Sequence, residues 1–390
     1  MKQVVCVRRG WPRWTGGLLV AVSWTWAASA EDTRVPDEAR QALTCGAAAL
    51  NPLTVHYRRE RDTAVPREEL ASRWKVNLKT FFEPGEYRAI LQDQKKYVSD
   101  RQRLSGPTGE PYEVLSEWTY NQRAVCSRVG MVGYVHSLER LRQQGLNDRF
   151  FIVPYLEAAG FHVPNTPRTW DLPLQPLILQ LIEQGGKLFR AQDDRVGDVP
   201  CLRLDLAKPE WTETHRFFLD PALAYALRRR EVRVGEKLTK VIENAEFQRL
   251  QDRPVWLPRR CRIEEYTRSS ARGEVAAKPV AIDTLTVTKL EQQPVGDDQF
   301  ILHFEPGMVA FDGLVPEAKN SPTGYAGYLV PARKEELQEA VRQGIARRPG
   351  GTWRWNWFLG LNLGMLGLLL VGLGYGVHRF RHARLKGGGA

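Results

Sequence analysis

Apolar positions recur along this chain with two different periods. The stretch Val35-Pro-Asp-Glu-Ala-Arg-Gln-Ala-Leu has proline early, acids in its first turn and apolar residues at helical spacing through Leu50, which predicts a helix. From Leu53 the period drops to two. Leu53-Thr-Val-His-Tyr alternates, as do Tyr87-Arg-Ala-Ile-Leu and the run from Tyr112 through Trp118 to Cys126, so each predicts a strand. Between them, Gly106, Pro107 and Gly109 within 101–111 predict a hairpin loop.

The pattern changes over 138–190. Arg149 to Gly160 predicts a short helix ending at glycine, and Pro164 to Pro173 a proline-rich crossing. Leu174, Leu177, Ile178, Leu181 and Ile182 then fall on one helical face closed by Gly185-Gly186, the face expected to cover a sheet. Alternation resumes at Leu202, Leu204 and Leu206, with Arg203 and Asp205 between them. Further strands are predicted at Arg216–Asp220, Ala224–Val234, Val241–Phe247, Val255–Tyr266, Thr284–Leu290 and Phe300–Phe304. Short strands separated by turns, each with one apolar face, predict a long antiparallel sheet covered on one side, an α+β fold. Asp193-Asp194 with Gly197-Asp198 lacks the spacing and closing Glu of a calcium loop and reads as a hairpin turn. Lys334 to Gln343 predicts a short helix.

The two ends follow different rules. Residues 1–30 combine a basic stretch ending at Arg13, an apolar run from Trp14 to Ala27 and the small residues Ala28-Ser29-Ala30, the layout of a signal peptide cleaved after Ala30. Trp357 to Val377 is 21 residues without a charge, eight of them Leu, long enough as a helix to span a bilayer. Trp353, Trp355 and Trp357 stand at its entrance, and Arg379, Arg381, Arg384 and Lys386 follow it. The expectation is a single-pass type I membrane protein. Its exported domain spans 31–330 with the helical insert at about 138–190; then come a juxtamembrane helix and linker at 331–356, the span at 357–377 and a basic cytosolic tail at 378–390. Gly360/Gly364 and Gly372/Gly376 have the small-residue spacing that lets two spans pack, a weak pointer to a homodimer.

Charge and composition narrow the function. The net charge is +11, but four cations without an acid lie in 1–30 and four more in 379–390. The excess therefore belongs to membrane topology, and no nucleic-acid partner is expected. Beyond Cys6, four cysteines remain in the exported body, Cys45, Cys126, Cys201 and Cys261; three pairings are open, and small buried side chains with at most one bridge are expected. The seven histidines (56, 136, 162, 215, 303, 378, 382) make no HExxH or other ligand spacing, so neither metal nor cofactor is expected. There is no GxSxG elbow and no Walker loop, and Glu264-Glu265 and Asp297-Asp298 are neighbours that a strand would point to opposite faces. No catalytic residues are assigned, and a hydrolase ranks last among the readings.

Three stretches carry a resemblance. His215-Arg-Phe-Phe-Leu-Asp-Pro resembles a strand ending in an LDP turn, and Trp256-Leu-Pro leading to Tyr266 resembles an LP…Y segment. Asp298 to Asp312, with Glu-Pro-Gly-Met-Val-Ala-Phe-Asp at its end, resembles a closing F…P-G-x-x-V-x-D edge. Together, with the order helix, meander, insert, meander, they resemble the lipoprotein-carrier superfamily (LolA/LolB-like, with RseB-type sensors), best over 198–312. The resemblance implies a curved sheet, an incomplete β-barrel wrapped over helices, with an apolar space for acyl chains. It also implies an envelope protein binding a lipid, lipoprotein or other apolar ligand. Because a tethered protein cannot shuttle, a sensor, a receptor or a fixed lipid-handling station is expected; the alternative is a non-catalytic protein-interaction module. Strand alternation nominates Trp118, Tyr120, Leu202, Leu204, Phe300 and Phe304 as cavity-lining residues, against the plainer reading that they are core.

Overall fold

The computed structural model describes residues 34–63, 84–105, 111–143, 151–207, 212–251, 253, 255–266, 278–315, 318 and 324–346. The expected signal peptide and the expected span at 357–377 lie outside these residues. Among the described residues, no helix is long and apolar enough to cross a membrane.

Helix α1 (Asp37–Ala49) starts directly behind Pro36, with Asp37 and Glu38 in the first turn where the helix dipole favours acids. A meander follows: β1 (Leu53–Thr63), β2 (Gly85–Gln92), β3 (Lys95–Ser105), β4 (Pro111–Tyr120), β5 (Ala124–Val129) and β6 (Val132–Ser137). The insert contains α2 (Leu138–Gln143), α3 (Pro154–Ala158), the short pair β7 (Phe161–His162) and β8 (Gln175–Pro176), and α4 (Leu177–Glu183). A second meander comprises β9 (Lys187–Val196), β10 (Val199–Ala207), β11 (Glu213–Asp220), β12 (Ala226–Val234), β13 (Lys237–Arg249), β14 (Trp256–Glu265) and β15 (Ala281–Glu291). The last described elements are β16 (Val309–Asp312), β17 (Ala326–Leu329) and α5 (Leu337–Ala346).

One 15-stranded sheet holds nearly all of this, in the order β17-β16-β6-β5-β4-β3-β2-β1-β15-β14-β13-β12-β11-β10-β9. The two meanders are zipped together at its middle by β1 and β15. That seam is held by a buried carboxylate, Asp283 on β15, which accepts from Arg59 and Arg61 of β1 at 2.7 Å each. Each strand adds a right-handed twist, and open sheets beyond about ten strands curl. The helices pack against one face of this one. Its edges, β9 and β17, do not pair with each other, so the sheet is open.

The apolar residues under the sheet form two clusters joined by α1. Its first turn supplies Ala39 to a cluster with Leu177, Ile178, Leu181, Leu204, Leu206, Phe217 and Leu219. Its last turn supplies Ala47 to a larger cluster with Leu53, Leu91, Val98, Tyr120, Tyr155 and Trp170. The stripe on α4 covers the sheet as expected, although the helix starts only at Leu177, leaving Leu174 on the crossing before it. On the opposite face of β10–β13, Arg203, Asp205, Arg216, Glu231 and Arg229 form a ladder of ion pairs at 2.7–3.5 Å. These long side chains cover one another, so even that polar face is largely withdrawn from water.

Four expectations need correction. The helix read over Arg149–Gly160 is confined to Pro154–Ala158: proline fixes its start, and Phe151 and Val153 lie extended and buried before it. Phe300–Phe304 is no strand. Asp297–Phe300 is a single 3-10 turn and 301–305 has no ladder, because both neighbours of β15 are already paired and the chain must cross to the free edge beyond β6. That crossing lies over β2 and β3, tied by Gln92 to Val295 at 2.8 Å and by Lys95 to Asp297 at 2.5 Å. It brings β16 in parallel to β6, so the sheet is antiparallel at every seam but that one. The hairpin loop placed at 101–111 is shorter than expected, since β3 runs to Ser105 and β4 starts at Pro111. Finally, of the cysteines expected to be buried, Cys45 is exposed and Cys126 half-buried, while Cys201 and Cys261 are buried; all four are free thiols, within the expectation of at most one bridge.

Candidate functional site

The end of α1, the β2–β3 hairpin and the 163–174 crossing line a half-open cavity of about 500 Å³. Small-molecule pockets typically measure roughly 300–1,000 Å³, so this one is large enough for a ligand. Ala47, Leu50, Leu91, Val163, Pro164, Pro173 and Leu174 make its walls apolar, while Asn51, Gln92, Asp93 and Gln94 provide polar groups. The turns that shape it are specified locally. Asn51 accepts from the Asp93 amide at 3.0 Å, which joins the turn after α1 to the hairpin, and Asp93 and Gln94 both adopt positive φ at the hairpin tip. Gln122 donates to the Asp93 carbonyl at 2.9 Å and holds that tip from the next hairpin.

Asp93, Lys95 and Lys96 are the charged residues of the lining, and of these Lys96 is the buried one. Lys96 follows the hairpin on β3, lies opposite Tyr120 of β4 and is only 4% exposed. Its ammonium donates to the Trp170 carbonyl and sits 5.7 Å from the centre of the Tyr120 ring. Burial lowers its pKa to about 8, with the charge of Asp171 opposing the shift. Asp171 itself accepts from the Tyr120 hydroxyl and from Arg142 at 2.8 Å. Burial and that acceptor push the Tyr120 pKa upward. Trp170, Tyr120 and Phe151 pack together behind the lysine, with ring centres 5.5–6.5 Å apart.

None of the six nominated residues lines this cavity. Trp118 and Tyr120 share the helix-facing side of β4; Tyr120 is fully buried in the larger cluster and Trp118 packs against it. Leu204 is buried in the second cluster, with Leu202 packed against it. Beside that cluster is a space of about 30 Å³, room for little more than a water molecule. Phe300 and Phe304 lie on the far face of the sheet. Phe300 packs beneath Lys95, and Phe304 covers Gly133 so closely that a Cβ there would come within 2.6 Å of its ring. The structure thus joins Trp118 with Tyr120 and Leu202 with Leu204, and separates these pairs from each other and from both phenylalanines. The lining of this cavity comes from turns and the proline-rich crossing, which strand alternation does not report on. Among the described residues, no three His, Cys, Asp or Glu side chains are grouped to hold a metal ion.

The domain is a nearly all-antiparallel sheet with short helices packed on one face. Its fold is similar to that of a LolA superfamily protein from Nitrosomonas europaea, with a TM-score of 0.36 and 10% identity over 68% of this chain and 97% of that one. It is likewise similar to a putative outer membrane lipoprotein-sorting protein domain from Vibrio parahaemolyticus, with a TM-score of 0.34 and 11% identity over 68% of this chain and 94% of the other. No family model and no curated protein matches the sequence.

Proposed function

We propose that this chain is a membrane-anchored, non-catalytic envelope protein whose exported domain holds a lipid acyl chain, or the acyl part of a lipoprotein, in the cavity beside α1. The observation that supports this most is the cavity itself. It is a half-open cleft of about 500 Å³ with largely apolar walls, within the size range of small-molecule sites. The motif resemblance at His215–Pro221, Trp256–Tyr266 and Asp298–Asp312 implies the same ligand class. With a leader at 1–30 and a span at 357–377, the domain stands outside the cytoplasm on a single tether. A fixed binder of this kind serves as a sensor, receptor or lipid-handling station. A protein-docking role is favoured by a different observation: Val129, Met131 and Leu329 are exposed apolar residues near the β5–β6 turn and the β17 edge.

Organic extraction of the full chain, purified from membranes, followed by mass spectrometry of the extract tests the reading. The expected result is an acyl-bearing species in near-stoichiometric amount that is depleted in a Leu174→Trp variant, whose indole occupies the cavity. Equal, trace lipid in both proteins would count against acyl binding.

A further inference from the structure

The cavity wall carries a cation that an apolar chain by itself does not need. Lys96 is buried on the helix-facing side of β3, and its one hydrogen-bond acceptor is the Trp170 carbonyl. Among the described residues it has no ion-pair partner, although Lys95 beside it has one in Asp297, on the opposite face. The acid whose charge it feels, Asp171, is already taken by Tyr120 and Arg142. Asp93, also on the wall, is 3.4 Å from the Asn51 amide nitrogen. An ammonium withdrawn from water without a contact ion pair is costly, and a lysine with three donors and one acceptor has capacity for an anion. The neutral Tyr120 face and the Trp170 carbonyl offset only part of that cost.

Building on the acyl-binding reading, we propose that the ligand is an anionic single-chain amphiphile: its acidic headgroup docks on the Lys96 ammonium while its chain lies along Ala47, Leu50, Leu91, Val163 and Leu174. The headgroup supplies the close ion pair that Lys96 lacks among the described residues, and the apolar wall supplies the area that makes the chain leave water. Neutral lipids of the same length would fill the walls and leave the lysine as it is, so discrimination resides in one side chain.

The test is displacement of a fluorescent acyl probe from the full chain by laurate, dodecyl phosphate, 1-dodecanol and inorganic phosphate. At least one of the two acids is expected to bind tenfold or more tighter than the alcohol, a difference of about 1.4 kcal/mol. The better acid identifies the headgroup as carboxylate or phosphate. Lys96→Met should bring the acids to the level of the alcohol, and Lys96→Arg should keep the preference. Equal binding of acids and alcohol by the unaltered protein overturns the proposal, whether or not the variants fold. Displacement by inorganic phosphate alone overturns it as well, because the site would then be for a free ion. A probe that does not bind at all contradicts the acyl-binding reading itself, a different outcome from bound probe without acid preference.

Discussion

The Tyr155 hydroxyl donates to the Pro258 carbonyl across 2.8 Å, tying the middle of the helical insert to β14 from beneath the sheet. The same ring lies 5.6 Å from Tyr57 on β1, so one side chain fastens the insert on both sides of the β1–β15 seam. Tyr155 is fully buried. Tyr155→Phe preserves the ring and leaves the carbonyl without its donor, which costs about 1–3 kcal/mol. Urea unfolding should show that loss with an unchanged slope. Wild-type stability in the variant would mean that the bond does not hold the insert.

Acid sensitivity should come from histidines kept neutral. His215 lies on β11 facing the helices, and its Nδ1 is 3.2 Å from Arg230 of β12. Burial, then the Arg230 charge, lowers its pKa to about 4. Glu213, 3.9 Å away and half-exposed, is too well solvated to hold a proton on it. His136 is lowered to about 4 in the same way, by burial first and Arg140 second. In the unfolded chain both take up a proton near pH 6.5. Between about 6.5 and 4 the unfolded state therefore binds more protons, and stability falls as the solution is acidified. The expected outcome is a steady loss of unfolding free energy between pH 6.5 and 4.5, with a shallower slope in His215→Asn. An unchanged slope in that variant would show that His215 is not the group responsible.

Much of this fold was legible in the sequence because burial on one face forces alternation. Leu202, Leu204 and Leu206 alternate with Arg203 and Asp205, and the structure places those two sets on opposite faces of β10. The helical stripe at Leu177, Ile178 and Leu181 was equally plain. Phe300–Phe304 misled because an apolar run has the same composition whether it pairs in a ladder or lies across one. Which of these happens depends on whether a strand edge is free, and that is a property of topology. The cavity was illegible for a related reason. Its wall comes from the end of α1, a hairpin tip and the Pro164–Pro173 crossing, which meet only in the folded chain. Lys96 gave one faint signal: in Lys95-Lys96, alternation requires one lysine to face inward.

Core and cavity should respond separately to substitution. Leu204 is completely buried among Leu206, Phe217 and Leu219, away from the cavity lining. Leu204→Ala is expected to destabilise the domain by about 2–5 kcal/mol. Its affinity for an acyl probe, measured well below the new melting temperature, should match the parent protein. A large loss of affinity would place the ligand in the second cluster instead.

The most direct measurement of the central claim is equilibrium titration of the full chain with a fluorescent fatty-acyl probe, alongside the Leu174→Trp variant at matched thermal stability. Saturable binding of one probe per chain, weakened tenfold or more in the variant, is the predicted result. Saturable binding that the added indole leaves untouched would contradict the placement of the ligand beside α1, and no saturable binding to either protein would contradict acyl binding altogether.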